Sequence, residues 1–290
     1  MQIVVFTKIF QDLDVQQTGE TVRDLGFDGF DLAVRPGHCV SPQNAPEVLP
    51  SAVKLWAKMG LATPLISLAV DANDAEDAAT VGVFEAAGEA GVDMIKLGYF
   101  PFEVGADYWA VVDAAKNSLE KFCRLSDRTG VKAVYHTHSG PLLGSNCAGL
   151  MHLIRDFDPK LIGVYADMGH LAVEGSDARM GLSMVRPYLS AIGAKDARFI
   201  DLGDPEAPAP WGKHFVFLGF GAAPWPQILE LLSSWDFKGP FSVHGEYTSD
   251  QTVINTVGGL DNTDSANTLR AEGIKHDLSY LRRTWPGTAG

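Results

Sequence analysis

Cysteine is scarce in this chain: Cys39, Cys123 and Cys147 are the only three in 290 residues. They are far apart, odd in number and match no zinc spacing, so a disulfide framework is not expected. Basic charge is also short. Lys and Arg total 23 against 36 Asp and Glu, for a net charge of −13. A uniformly acidic surface repels phosphate backbones and anionic lipid, so nucleic-acid and membrane roles are disfavoured. No apolar run reaches the roughly 18–20 residues that a membrane span needs. The opening MQIVVFTKIF has no basic region followed by a long apolar stretch, so no signal peptide is expected. These absences point to a soluble protein of a reducing compartment, the cytoplasm. Phosphate-binding fingerprints are missing as well: no G-x-G-x-x-G follows the first apolar run, and there is no Walker-type loop. GFGAAPW (219–225) contains G-x-G but lacks the third glycine, and reads as a loop.

What the chain does have is rhythm. Short apolar runs recur eight times, at 2–7, 27–34, 61–70, 92–99, 131–138, 161–168, 189–196 and 239–247. Gly26, Gly60, Gly91, Gly130 and Gly239 precede five of them, as expected for left-handed caps ending helices. Between the runs lie helical stripes. Val112, Ala115, Leu119 and Phe122 form one. Ile228, Leu231, Leu232 and Trp235 form another, and Ile274, Leu278, Leu281 and Trp285 a third. Strand then helix, eight times in one 290-residue domain, predicts an α/β fold of the (β/α)8 TIM barrel type. A doubly wound open sheet is the alternative, usually with fewer beats and a glycine fingerprint. Trp211, Phe215, Phe217 and Trp225 fall in one long loop region, where they would line the pocket, a subunit contact or the core.

A barrel of this kind keeps its chemistry at the C-terminal ends of its strands. Run two leads to Asp31, Arg35 and His38, and run four ends with Lys96 and Tyr99. Run five closes on His136 and His138, which share one face because residues two apart in a strand point the same way. Run six ends with Asp167 and then His170. Run seven ends with Lys195 and Asp196, and run eight with His244 and Glu246. Six of the eight histidines, including His214, sit at or just after strand ends. Taken singly, each has an ordinary structural reading: Asp196 as a helix cap, His214 as a loop residue, Lys96 and Arg35 as neutralisers of nearby acids. The convergence of His136, Asp167 and Glu246 from three strands outweighs those readings. One imidazole and two carboxylates make a sensible shell for a divalent metal.

The ordered set GFDGFDL (26–32), DMGH (167–170), AKDA (194–197) and VHGEY (243–247) resembles the xylose isomerase-like TIM-barrel superfamily of sugar phosphate isomerases and epimerases. The resemblance implies one divalent metal, Mn, Zn, Co or Mg, held by a Glu, an Asp, a His and a Glu on strands five to eight. Asp167 and Glu246 match that pattern. His136 stands where the strand-five glutamate belongs, and Gly193 where the strand-seven histidine belongs. The expected shell is therefore His136, Asp167 and Glu246, with His244 or His138 left to complete it.

The resemblance further implies proton abstraction next to a carbonyl of a small keto-sugar, polyol or sugar acid. Glu246 is then an acid/base group. His136 is the second one only if its lone pair is not given to a metal. His138, His170, Lys195, His38, His244 and Lys96 are the expected substrate contacts. An inosose dehydratase-like lyase starts with the same abstraction. The two substituted ligands also admit a non-catalytic sugar-binding barrel, whereas the three-zinc DNA-repair endonucleases of the superfamily need ligands this acidic chain lacks. The partner is a carbohydrate-like small molecule, and a homo-oligomer is in keeping with relatives that are commonly dimers or tetramers.

Overall fold

The computed structural model describes residues 1–201, 203, 206, 211–247 and 263–286, the last segment with side chains from 270 onward. Each of the eight apolar runs contains one strand of a closed parallel barrel: β1 (Ile3–Phe6), β2 (Gly29–Ala33), β3 (Ala62–Ser67), β4 (Met94–Lys96), β5 (Lys132–His136), β6 (Ile162–Asp167), β7 (Leu189–Ala194) and β10 (Phe241–Val243). The order around the barrel is β1-β10-β7-β6-β5-β4-β3-β2, closed by β1 against β2. The register brings the strand ends level. His136 pairs with Tyr165, Asp167 with Gly193, and Ala194 with Val243.

Helices α1 (Val15–Leu25), α2 (Ala45–Lys58), α3 (Ala78–Ala90), α4 (Tyr108–Thr129), α5 (Cys147–Ile154), α6 (Met168–Val173), α7 (Ala178–Val185), α8 (Trp225–Ser234) and α9 (Thr263–Thr284) connect the strands. Their starts are encoded locally. Asp14 and Gln17 form a capping box on α1, while Asp77 and Asp107 cap α3 and α4. Gly26, Gly91 and Gly130 end α1, α3 and α4 in the left-handed conformation. Gly239 does not: a Cβ there would lie 2.2 Å from the Ser190 carbonyl oxygen, so its role is close approach rather than capping. The α4 stripe of Val112, Ala115, Leu119 and Phe122 is fully buried, as are Ile228 and Leu232 of α8 and Ile274, Leu278 and Leu281 of α9. Inside the barrel, Leu65, Met94, Val134, Tyr165 and Ala191 pack as one cluster beneath the strand ends. No helix among the described residues is long and apolar enough to cross a membrane.

The segment after β7 departs from the expected loop. β8 (Asp196–Asp201) and β9 (Trp211–Val216) form an antiparallel hairpin outside the barrel, with Asp196 opposite Val216 and Asp201 opposite Trp211. Asp196 is not a helix cap. Its two oxygens accept the backbone N–H groups of Ala197, Gly219, Gly221 and Ala223 at 2.9–3.1 Å, tying the 217–224 loop to the end of β7. Trp225 belongs to α8 and is completely buried. Removing the Asp196 carboxylate leaves several of these donors without a partner. Asp196→Ala is expected to cost on the order of 2–4 kcal/mol in urea unfolding.

Candidate active site

Three side chains converge where β5, β6 and β10 end. His136 closes β5 and is buried. Its Nδ1 lies 2.9 Å from the Tyr99 hydroxyl, while its Nε2 has no hydrogen-bond partner and lies 3.3 Å from Asp167 Oδ2. Asp167 closes β6 and caps α6: Oδ1 accepts the His170 N–H at 2.9 Å, and its own N–H donates to Thr137 Oγ1. Its Oδ2 is buried without a partner. His244, one residue past β10, brings Nδ1 to 3.5 Å from that oxygen. Its Nε2 lies 2.7 Å from the Tyr165 hydroxyl, which donates to Asp31 Oδ2 at 2.8 Å. The tyrosine proton is thus committed, the His244 proton sits on Nε2, and the Nδ1 lone pair faces Asp167.

The ligand atoms of His136, Asp167 and His244 lie within 4.8 Å of one another. Ligands 2.0–2.2 Å from a shared ion lie roughly 3–3.5 Å from each other, close to the separations from Asp167 Oδ2 seen here. Burial pushes the His136 imidazole down to about 3 and lowers His244, against the pull of Asp167 on both. Neutral imidazoles are the ligating form. Burial opposes the charge on Asp167, but His170, His136, Lys195 and His244 outweigh it and hold the carboxyl well below its usual range. Two orphaned buried atoms, one carboxylate and two neutral imidazoles fit a divalent metal.

Glu246, expected as a ligand, is engaged otherwise. Oε2 pairs with Lys195 Nζ at 2.9 Å, and Oε1 pairs with Lys8. The carboxylate stays beside the triad, 3.9 Å from His244 Nδ1. Burial raises its pKa, but Lys195, His244 and Lys8 hold it far below the usual carboxylate range. The glycine at 193 leaves room only for Asp167 at this point. A Cβ there would lie 2.7 Å from Asp167 Oδ2 and 2.9 Å from its Cα and Cβ, so β7 has no room for an imidazole beside Asp167. The imidazole nearest Asp167 on that side is His244, just past the adjacent strand β10.

The other expected contacts are mostly on the same pocket, an open space of about 410 Å³. His138 donates from Nδ1 to the Ser139 carbonyl at 2.9 Å, which leaves a lone pair on Nε2. Its ring centre is 3.8 Å from that of His170. His170 is neutral, pushed by burial to about 2, with Nε2 3.4 Å from Lys195 Nζ. Lys195 lies 3.9 Å above the Phe215 ring of β9, so the hairpin walls one side of the site. Lys96 lines the pocket against Tyr99. Lys195 sits behind the lining, reaching it through Glu246 and His170, and His38 is apart from it. Its ring nitrogens face the Lys8 and Pro36 carbonyls at 3.2 and 3.4 Å, and it braces a loop outside the pocket lining. Lys8, Arg35, Tyr99 and Tyr165 also line the pocket. Of these, Tyr165 carried a usable signal, since it lies two residues before Asp167 and therefore on its face.

The family model of the xylose isomerase-like TIM barrel matches residues 20–284, and the chain belongs to that family. Solved structures similar to it include a D-tagatose 3-epimerase-like protein, with 16% identity, 97% of this chain and 100% of that one covered, and a TM-score of 0.65. The 3-keto-D-glucoside 4-epimerase of E. coli shares 17% identity over 98% and 99% of the two chains, with a TM-score of 0.66. The probable 3-DHS dehydratase AsbF of Bacillus anthracis shares 15% over 94% and 97%, with a TM-score of 0.67. No curated protein matches the sequence.

Two predictions follow from the packing and the charges. Gly193→Ala forces a methyl group into Asp167 and is expected to cost about 1–3 kcal/mol in chemical denaturation. In metal-free protein, His136 and His170 stay neutral when folded but take up protons below about 6.5 when unfolded. Stability conferred by the neutral imidazoles is therefore lost as pH falls, and urea unfolding at pH 7 and pH 5 should differ by roughly 4 kcal/mol for the two groups together.

Proposed function

We propose that this protein is a metal-assisted sugar isomerase or epimerase that removes a proton next to the carbonyl of a small keto-sugar, polyol or sugar acid. The observation that carries the reading is the pair of orphaned buried atoms, His136 Nε2 and Asp167 Oδ2, converging with His244 Nδ1 beside the Glu246 carboxylate. The sugar epimerases among the similar folds support it at the level of reaction class.

His136, Asp167 and His244 would hold a Mn, Zn, Co or Mg ion, whose contribution is to polarise the substrate oxygens and stabilise the developing enediolate. Tyr99 and Tyr165 orient the two imidazoles through their second nitrogens. His136 is thereby assigned to ligation and not to acid/base work. Glu246 is ionised and faces the pocket, so it takes the substrate proton. Lys195 fixes its direction and places an ammonium where negative charge grows on the substrate. His138, with the Nε2 lone pair open, is the second proton-handling group.

Elemental mass spectrometry of protein purified without chelator should find about one metal equivalent, lost in Asp167→Ala. Wild-type protein should catalyse exchange of a substrate C–H proton with deuterated water, followed by NMR on a panel of keto-sugars, sugar acids and inososes. Glu246→Gln should slow that exchange about 10²–10⁴-fold. Wild-type protein that holds no metal after reconstitution contradicts the metal-assisted reading. Metal-loaded protein that binds members of the panel and exchanges none of them contradicts the enzymatic one.

A further inference from the structure

On the side of the pocket formed by β2 and β4, two cationic side chains make no ion pair among the described residues. Lys96, at the end of β4, is only 3% exposed. Among the described residues its Nζ makes no hydrogen bond or ion pair, and it rests 3.9 Å from the Tyr99 ring centre. Arg35, just past β2, donates from one Nη to the Leu68 carbonyl at 2.9 Å. Its Nε is buried without a partner, and the guanidinium carbon lies 5.2 Å from the Phe6 ring centre. Both side chains line the pocket. They also feel each other: burial, and then Arg35, press the Lys96 ammonium well below its usual pKa.

Among the described residues no carboxylate lies within ion-pair distance of either cation, although Asp31 and Glu246 favour both charges from further off. Glu246 is bound to Lys195 and Lys8. Asp31 takes the Tyr165 and Ser242 hydroxyls on Oδ2, both at 2.8 Å, while its buried Oδ1 has no hydrogen-bond partner. An ammonium taken from water and set beside a second cation is costly unless an anion joins them. Hydrophobic or hydroxyl-bearing residues would serve a neutral sugar without that cost. β4 stands four strands from β10 in either direction around the barrel, so Lys96 faces Glu246 across the mouth.

We infer that Arg35 and Lys96 are an anion clamp, and that the substrate carries a carboxylate or phosphate group at the end remote from the carbon presented to Glu246. The inference rests on the proposed reading of the site and narrows its substrate class. A fork of N–H donors and a point charge side by side suit two oxygens of one anionic group.

The test is calorimetric binding to the full chain of three probes: D-fructose, 2-keto-D-gluconate and D-fructose 6-phosphate. At least one anionic probe should bind tenfold or more tightly than D-fructose, and which one does so separates carboxylate from phosphate. Lys96→Met and Arg35→Met should each erase most of that preference while melting close to the wild type. If Lys96→Met does not fold, half-buried Arg35 carries the comparison alone. Equal affinity for all three probes, including no measurable binding of any, overturns the clamp. So does a preference that survives both substitutions. An anion preference without proton exchange would leave the clamp standing and sink the catalytic reading. Exchange on D-fructose with no anion preference would do the reverse.

Discussion

The site is organised around one carboxylate that the fold buries completely and leaves half satisfied. Asp167 Oδ1 is secured by the first turn of α6, and its backbone N–H by Thr137, so the residue cannot turn away. Oδ2 is then held in a dry space with only imidazole nitrogens near it. An ionised carboxylate in that position is costly unless positive charge compensates it. Lys195 supplies some of it, and a bound cation would supply the rest. Much else follows from this constraint: no side chain at 193, neutral histidines on either side, and a tyrosine behind each, of which Tyr165 fixes the His244 tautomer.

The position of Glu246 has consequences through the mouth of the barrel. His244, not Glu246, is the third member of the cluster with His136 and Asp167, and Glu246 pairs with Lys195 and Lys8. That ion pair keeps a charged carboxylate facing the pocket rather than the triad. Lys195 in turn lies on Phe215 of the β8–β9 hairpin, so a surface element outside the barrel helps place a charge inside the site. The string Asp31–Tyr165–His244 runs between β2, β6 and β10 and couples the barrel interior to the face that carries His136 and Asp167. Interior packing and site geometry are thus one problem, because Tyr165 belongs to both.

The barrel was legible because its signals are local. Eight apolar runs, Asp and Gly caps and three helical stripes each depend on neighbours within one or two turns. The strand-end positions of His136, Asp167, His170, Lys195 and Glu246 were legible for the same reason, since the fold fixes where strand ends meet. His244 was legible only as one of two candidates to complete the shell; what favours it over His138 is the Asp167–Gly193 pairing across two strands, which no stretch of sequence displays. The hairpin was hidden because its strands are only half buried and alternate weakly. His38 read as a site residue by position, but the chain after β2 turns its ring onto the Lys8 carbonyl. Arg35 reads in sequence as a neutraliser of nearby acids, and Lys8 as a solvated loop residue, until the pocket around them is seen.

The central claim is that two imidazoles and one carboxylate, His136, His244 and Asp167, surround the ion. X-ray absorption at the metal edge of cobalt- or zinc-loaded protein counts imidazoles directly. The account predicts two imidazoles per metal, falling to one in His244→Ala. Fewer than two imidazoles in the wild type, or a count unchanged by that substitution, would contradict it.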